Sequence, residues 1–374
     1  MSDLSTRPEA LVRSRTQLGV AAYFDEDLFR KEQALVFARG PRYLGHELAV
    51  PEVGDYHVLA QEADGRALVR SERGIELISN VCRHRQALML AGRGKTSGGT
   101  VVCPVHRWTY DLQGKLIGAP HFTEDPCLNL KNYALQRWNG LLFEGKGQGQ
   151  GEGREVAADL AGMGPAAQLD FSGYVFDKAV LHECNYNWKT FIEVYLEDYH
   201  VGPFHPGLGS FVTCDDLRWE FGAEHSVQTV GVHEQLAKAG SPTYQRWHDA
   251  VLKFRGGEAP TQGAIWLTYY PTVMVEWYPH VLVVSTLFPQ GPRKTLNLVE
   301  FFYPEEIAAF ERDFIEAEQA AYMETAIEDD EIGERMDAGR RALMLRGDDE
   351  VGPYQSPMED GMQHFHEWYR RRMG

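Results

Sequence analysis

From about residue 41 to 145 the apolar residues come in short runs such as "YHVLAQ", "ALVRS", "IELIS" and "GTVVCP", each broken by Gly, Pro or Asp. Short β-rich runs between turn residues predict a small all-β module. Ahead of it, "YFDEDLFRKEQALVFARG" (23–40) spaces Phe24, Leu28, Phe29, Leu35 and Phe37 among charges, with Asp25 as N-cap and Gly40 at the end, which predicts a short helix. After it, the glycines of "GKGQGQGEG" (145–153) cannot hold an ordered element and mark a loop or linker. The pattern then changes. A strand, "SGYVFDKAVLHE", precedes a helical stretch, "NWKTFIEVYLEDYH", and three β runs follow: "AIWLTYYPTVMVEWYP", "HVLVVSTLFPQ" and "TLNLVEFFYP". A long helical tract closes the series, "PEEIAAFERDFIEAEQAAYMETAIEDDEIGERMDAGRRAL". The expected organisation is a helical segment over 1–40 packed on the second domain, an all-β domain over 41–150, and an α+β domain over 151–374 with an antiparallel sheet covered by helices.

Composition narrows this picture a little. The 374 residues exceed what a single core usually holds, so two domains are expected. A formal net charge of -17 argues against a nucleic-acid partner, which would need a basic face. The five cysteines, Cys82, Cys103, Cys127, Cys184 and Cys214, are odd in number and irregularly spaced, unlike a disulfide framework. A reducing cytoplasm fits them. The stretch "MSDLSTRPEALVRSR" has no apolar signal region, and no run is long and apolar enough to span a membrane.

Candidate chemistry lies inside the all-β module, in "VCRHRQALMLAGRGKTSGGTVVCPVHRWTY" (81–110). Cys82 and His84 follow "ELIS", and Cys103 and His106 follow "GTVV", so two turns each offer one thiolate and one imidazole. Zinc and an iron-sulfur cluster both accept such a set. A zinc finger places its histidines on a helix, whereas "HRWTYDLQGKL" reads as strand and turn.

The stretch resembles the Rieske [2Fe-2S] domain, with Cys-x-His, a spacer, Cys-x-x-His and then an aromatic strand. That resemblance implies that Cys82 and Cys103 bind one iron, and His84 and His106 the other. Two features depart from the family pattern. The spacer from His84 to Cys103 is slightly long at 18 residues, and Gln86 and Arg107 stand where the family more often has Gly. Cys127 lacks a partner at any ligand spacing and is expected to be a core or loop residue.

A second constellation follows in "NWKTFIEVYLEDYHVGPFHPGL" (187–208). Glu193, Glu197 and His200 fall at i, i+4 and i+7, so one helical face is expected to carry two carboxylates and an imidazole. His205 would lie about 140° further round an ideal helix. Gly202 and Pro203 interrupt the helix, however, and let His205 swing back toward His200. Two histidines near a carboxylate begin the facial triad that holds non-haem Fe(II) with positions open for O2. The stretch resembles the catalytic domain of Rieske non-haem iron oxygenases, where "NWK" opens the helix and an acid precedes the first histidine by three. By that resemblance His200 and His205 bind Fe(II). Glu197 links the iron to a Rieske histidine of the neighbouring subunit, with Asp198 beside it as the reserve. The family more often has Asp there; Glu is found in its branch acting on quaternary amines. The remaining histidines (His46, His57, His121, His182, His225, His233, His248, His280, His364, His366) have no such context and are read as structural.

The third iron ligand must come from far along the chain. In "EDDEIGERMDAG" the family register points to Asp329, with Asp330 one residue off as the alternative. The resemblance spans nearly the whole chain and implies a helix-grip-like catalytic fold and a terminal oxygenase. It further implies a [2Fe-2S] cluster and Fe(II), electrons from a separate NAD(P)H-dependent reductase or ferredoxin, and a homotrimer in which one subunit's cluster serves the next subunit's iron. The strands "AIWLTYYPTVMVEWYP" and "VLVVSTLF" are expected to wall the pocket. They suit an aromatic substrate, or a quaternary amine held by cation-π contact. Two other readings compete: a Rieske electron carrier with a dead catalytic domain, and a zinc-stabilised binding protein.

Overall fold

"RALVRS" packs apolar side chains on both faces of one strand, and the reason is visible in the fold. A computed structural model describes residues 17–145, 154–233, 236 and 238–374. The strand Arg66–Ser71 is central in a five-stranded antiparallel sheet, between Asp55–Val58 and Gly74–Ser79, with Arg93–Lys95 and Asn132–Tyr133 at the edges. Its Ala67 and Val69 enter one core with Cys82, Cys103, Trp108 and Tyr110. Leu68, facing the other way, enters a second core with Leu44, Leu77 and Leu142. Two three-stranded antiparallel sheets complete this unit, Thr100–Val102 with Thr109–Asp111 and Leu116–Gly118, and Tyr43–His46 with Leu141–Glu144 and Leu135–Trp138. The unit runs from Pro41 to Ala158. From residue 146 to 153 the glycine-rich stretch lies outside the described residues.

Residues 17–40 belong with 159–374 in the other compact unit. Its frame is a seven-stranded antiparallel sheet. The strands are β1 (Tyr174–Cys184), β2 (Val212–Phe221), β3 (His225–Val232), β4 (Ala264–Tyr269), β5 (Val273–Tyr278), β6 (Val281–Gly291) and β7 (Lys294–Pro304), in the order β1-β7-β6-β5-β4-β3-β2. The three aromatic-rich runs are thus neighbours, as their pattern predicts. Helices cover the sheet: α1 (Glu26–Glu32), α2 (Trp188–Tyr195), α3 (Pro242–Phe254), α4 (Arg312–Arg346) and α5 (Asp360–Met373). Trp266, Val283 and Phe301 pack with Trp247 of α3 and Phe314 of α4. Met274, Tyr270 and Leu287 pack instead with Trp188 of α2 and Phe365 of α5.

Asp25 caps α1 as its position suggests, its carboxylate accepting from Leu28 N–H at 2.8 Å. The helix does not run smoothly to the end of the stretch, because Gln33–Phe37 form a π-helical turn. Buried ion pairs fasten this segment to α2. Lys189 Nζ donates to Glu32 Oε1 at 2.6 Å, and Trp188 Nε1 donates to the other Glu32 oxygen at 3.0 Å. Neither charge could stay buried alone.

Two buried histidines outside any candidate site make stability depend on pH. His46 accepts from Leu48 N–H through Nδ1 at 3.1 Å, and His364 Nδ1 lies 2.9 Å from the Tyr270 hydroxyl. Burial holds both far below the ordinary imidazole value, at about 3. The unfolded chain therefore binds more protons below pH ~6.5, and each histidine removes about 1.4 kcal/mol per pH unit as pH falls from there toward 3. The melting temperature is expected to fall between pH 7 and pH 5, and His46→Gln to flatten that slope. A profile unchanged over this interval would contradict the assignment.

Candidate metal centre and substrate cavity

The helix that opens at Asn187 is shorter than its periodicity predicts. Asn187 caps α2, its side-chain oxygen accepting from Lys189 N–H at 2.9 Å, but the helix stops at Tyr195. Beyond it the backbone bonds to the region that leads into α5: Leu196 C=O accepts from Met362 N–H at 3.2 Å, and Asp198 N–H donates to Met358 C=O at 3.1 Å. Glu193 therefore does not share a face with Glu197 and His200, which corrects the expectation of one acidic helical face. It is buried with Arg340, Tyr23 and His366, the His366 Nε2 at 2.8 Å. Gly202 and Pro203 sit inside a one-turn helix, Val201–Phe204, rather than at the break, which comes earlier.

These turns bring the two histidines together. His200 Nε2 and His205 Nε2 lie 3.0 Å apart. Asp329, from the middle of α4, places Oδ1 3.0 Å from His205 Nε2 and 3.5 Å from His200 Nε2. Each outer nitrogen has its own carboxylate. His200 Nδ1 meets Glu197 Oε1 at 2.5 Å, and His205 Nδ1 meets Glu328 Oε2 at 2.7 Å. Such bonds fix the tautomer and leave both Nε2 atoms for a metal, the usual arrangement around ligating histidines. Sequence reasoning missed Glu328, although it stands next to Asp329. Asp330 points elsewhere, to His182 Nε2 at 2.6 Å and the Tyr186 hydroxyl at 2.9 Å.

Charge favours a cation here. Burial opposes a proton on His200, but hydrogen bonds to Asp329 and Glu197 outweigh it and raise the imidazole to about 10. Two neutral-nitrogen donors and one carboxylate oxygen meeting at a point fit a mononuclear non-haem iron. Asp198 is separate. Its carboxylate accepts from Gln228, and burial together with Glu197 pushes it up to about 7.

A cavity opens beside these ligands. Phe191, Val194, Leu208, Phe211 and Trp247 form apolar walls. Of the two strands expected to wall it, "AIWLTYYPTVMVEWYP" supplies Trp266, Glu276 and Tyr278, and "VLVVSTLF" supplies only Ser285. Helix α4 adds Glu318 and Tyr322. The histidine read as structural at 182 also reaches this wall.

In the other unit, the two ligand-bearing turns have the same backbone form. Gln86 N–H donates to Cys82 C=O at 3.0 Å, and Arg107 N–H donates to Cys103 C=O at 3.1 Å. Both Gln86 and Arg107 have positive φ, 57° and 61°, so these are the positions where Gly costs least strain. Cys82 and Cys103 are buried and unpaired by disulfide, while His106 is exposed and His84 half-buried. The His84 ring stacks on Trp108 with 5.0 Å between centroids and lies 4.5 Å from that of His106. Among the described residues His84 Nδ1 is buried without a hydrogen-bond partner, which suits a nitrogen meant for a metal. The Tyr110 hydroxyl lies 3.6 Å from Cys82 Sγ, a contact the sequence showed only as an aromatic strand.

Comparison with known proteins agrees with this donor chemistry. Residues 42–134 match the Rieske [2Fe-2S] domain, and residues 171–374 match the catalytic domain of the ring-hydroxylating α subunit. The chain is 68% identical over 373 residues to a putrescine 2-hydroxylase of Ralstonia nicotianae, covering 100% of both chains. It is 61% identical over 387 residues to a putrescine 2-hydroxylase of Bordetella bronchiseptica, covering 100% of this chain and 88% of that one. Its fold resembles that of a quaternary ammonium Rieske monooxygenase from a study of carnitine oxidation by gut microbiota, at TM-score 0.77, 19% identity and 96% coverage of each chain. A Rieske [2Fe-2S] cluster and a mononuclear iron are thus the cofactors, and the zinc and carrier-only readings fall away. This chain belongs to the Rieske non-haem iron oxygenases, as an α subunit with an all-β cluster domain and an α+β catalytic domain.

Proposed function

We propose that the protein hydroxylates a linear aliphatic diamine of the putrescine type. One observation carries this reading: five acidic side chains line the cavity (Glu197, Asp198, Glu276, Glu318 and Asp329), and among the described residues no Lys or Arg does. An aromatic hydrocarbon would gain nothing from that wall, so the aromatic substrate expected from the sequence gives way. A quaternary ammonium would be attracted but has no N–H to donate to carboxylates, whereas a primary ammonium has three. The name of the relatives sharing 68% and 61% identity supports the same choice.

In this reading His200, His205 and Asp329 hold Fe(II), and Cys82, Cys103, His84 and His106 hold the cluster. When bound, the cluster supplies single electrons and the iron a place for O2. Glu197 and Glu328 keep the two imidazoles aimed, and the apolar walls exclude water from the reacting carbon. Replacing C–H by C–OH with one atom of O2 takes two electrons and two protons and releases water. We infer that a separate NAD(P)H-dependent reductase or ferredoxin supplies the electrons. Glu197 would carry the link from a neighbouring subunit's cluster in a trimer, with the buried Asp198 a less suitable reserve. Five free cysteines suit a cytoplasmic setting, and among the described residues no helix is long and apolar enough to cross a membrane.

The test is O2 uptake with a surrogate reductase and NADH across putrescine, naphthalene and choline. Uptake is expected to rise at least ~10-fold over background with putrescine alone. Equal or greater stimulation by naphthalene would sink the diamine reading.

A further inference from the structure

One wall of the cavity is built to hold a positive charge away from the iron ligands. Glu276 lies on β5, a strand whose neighbours Met274 and Val275 are fully buried, and is itself 1% exposed. Two hydroxyls hold its carboxylate in place: Tyr278 at 2.8 Å to one oxygen and Tyr322 at 3.0 Å to the other. Trp266 Nε1 donates in turn to the Tyr278 hydroxyl at 2.9 Å, which orients it. Glu318, 3% exposed, is four residues before Tyr322 on α4 and therefore on the same helical face. Its carboxylate accepts a hydrogen bond from the Tyr303 hydroxyl. Tyr195 also lines this cavity, and its hydroxyl is buried with no hydrogen-bond partner among the described residues.

A buried carboxylate costs several kcal/mol unless a cation meets it, and hydroxyl donors offset only part of that. Among the described residues no Lys or Arg lines the wall. Lys178, which acts on Glu318 from a distance, lies over the Phe301 ring and does not line the cavity. Burial accordingly pushes Glu276 up to about 7 and Glu318 to about 8, and Glu318 is raised further by Glu276. A cation entering between aromatic rings and these two acids would reverse both shifts. Tyr195, Trp266, Tyr278 and Tyr322 also line this cavity, and aromatic rings attract cations.

We propose that Glu276, held by Tyr278 and Tyr322, binds the substrate ammonium farther from the reacting carbon, with Glu318 completing the negative wall. This assignment rests on the diamine reading. It adds a reason for selectivity: anchoring the far nitrogen fixes how much of the carbon chain extends toward His200, His205 and Asp329. A monoamine of the same length loses that anchor and leaves the acid buried without its partner.

The experiment is calorimetric binding to the oxidised holoenzyme, which needs no turnover, using putrescine and 1-aminobutane. Wild-type protein is expected to prefer putrescine by at least ~30-fold, the low end of what a buried charge partner contributes. Glu276→Gln keeps the shape and can still accept the tyrosine hydroxyls. It is expected to bind putrescine at least ~30-fold more weakly while 1-aminobutane changes less than about 3-fold. Equal putrescine binding by the variant, or equal weakening of both ligands, overturns the assignment. The wild-type preference keeps the idea testable should the variant not fold: discrimination under about 3-fold overturns it as well. Wild-type protein that binds putrescine without that preference defeats Glu276 alone. Failure to bind any linear diamine defeats the diamine reading and the anchor with it.

Discussion

His205→Ala is expected to abolish turnover and strip the mononuclear iron while leaving the visible spectrum of the cluster unchanged. His205 is 1% exposed, and its two ring nitrogens join Glu328 and Asp329. Removing the ring deletes one of three donors and leaves two carboxylates facing each other without the cation-favouring imidazole. Changing a residue that merely orients a ligand costs ~10–100-fold in metal affinity or activity, so removing the ligand should cost more than ~100-fold. Folding should suffer less, by about 1–3 kcal/mol for the orphaned acceptors. Iron content separates this loss from a general defect. Metal analysis is expected to drop from three irons per chain to two, the two of the cluster. His182→Ala is the control, because His182 meets Asp330 rather than Asp329. Retained activity in His205→Ala, or iron loss only in His182→Ala, would overturn the ligand set.

Cys103→Ser is expected to remove the cluster and all reductase-driven activity, with a colourless protein as the visible result. Cys103 is buried in the core that contains Val101, Trp108 and Tyr110, where a serine hydroxyl has no thiolate to offer and leaves a polar group in an apolar setting. Metal binding contributes folding energy in small metal-bearing domains, so the all-β unit should also melt earlier. Cys127→Ser should leave spectrum and stability unchanged, since Cys127 is exposed and distant in sequence from either ligand turn. A normal cluster spectrum in Cys103→Ser would mean that another residue binds the iron.

The parts of the site that were legible in the sequence are those built from local chain. Cys82, His84, Cys103 and His106 lie on two turns whose spacing survives in the linear text. Even Gln86 and Arg107, noted there as unusual, prove to be the left-handed positions of those turns. Asp329 is 124 residues from His205, and only a family register pointed to it. The end of α2 was not legible. The periodicity of "NWKTFIEVYLEDYH" continues past Tyr195, but Met358 and Met362, which capture the backbone there, are more than 150 positions away in the sequence. Glu193 consequently belongs to a buried structural network and not to the metal centre. Glu276 was missed for a related reason. In "VMVEWY" it reads as one polar position in a strand, and only α4 arriving with Tyr322 and Glu318 makes it part of a cavity wall.

The same division explains the error over substrate. Aromatic residues in the strands suggested an aromatic guest, yet in the fold several of those rings serve as core and others hold carboxylates. In the diamine reading, acid spaced across a strand and a helix carries the specificity, and no single stretch of sequence displays that sum.

The proposed reaction is insertion of one atom of O2 into a linear diamine. Its most direct test is a turnover with ¹⁸O₂ and putrescine, followed by mass spectrometry of the product. The expected result is a hydroxyputrescine carrying one ¹⁸O atom. Unchanged putrescine beside consumed O2, or a product whose oxygen comes from water, would contradict it.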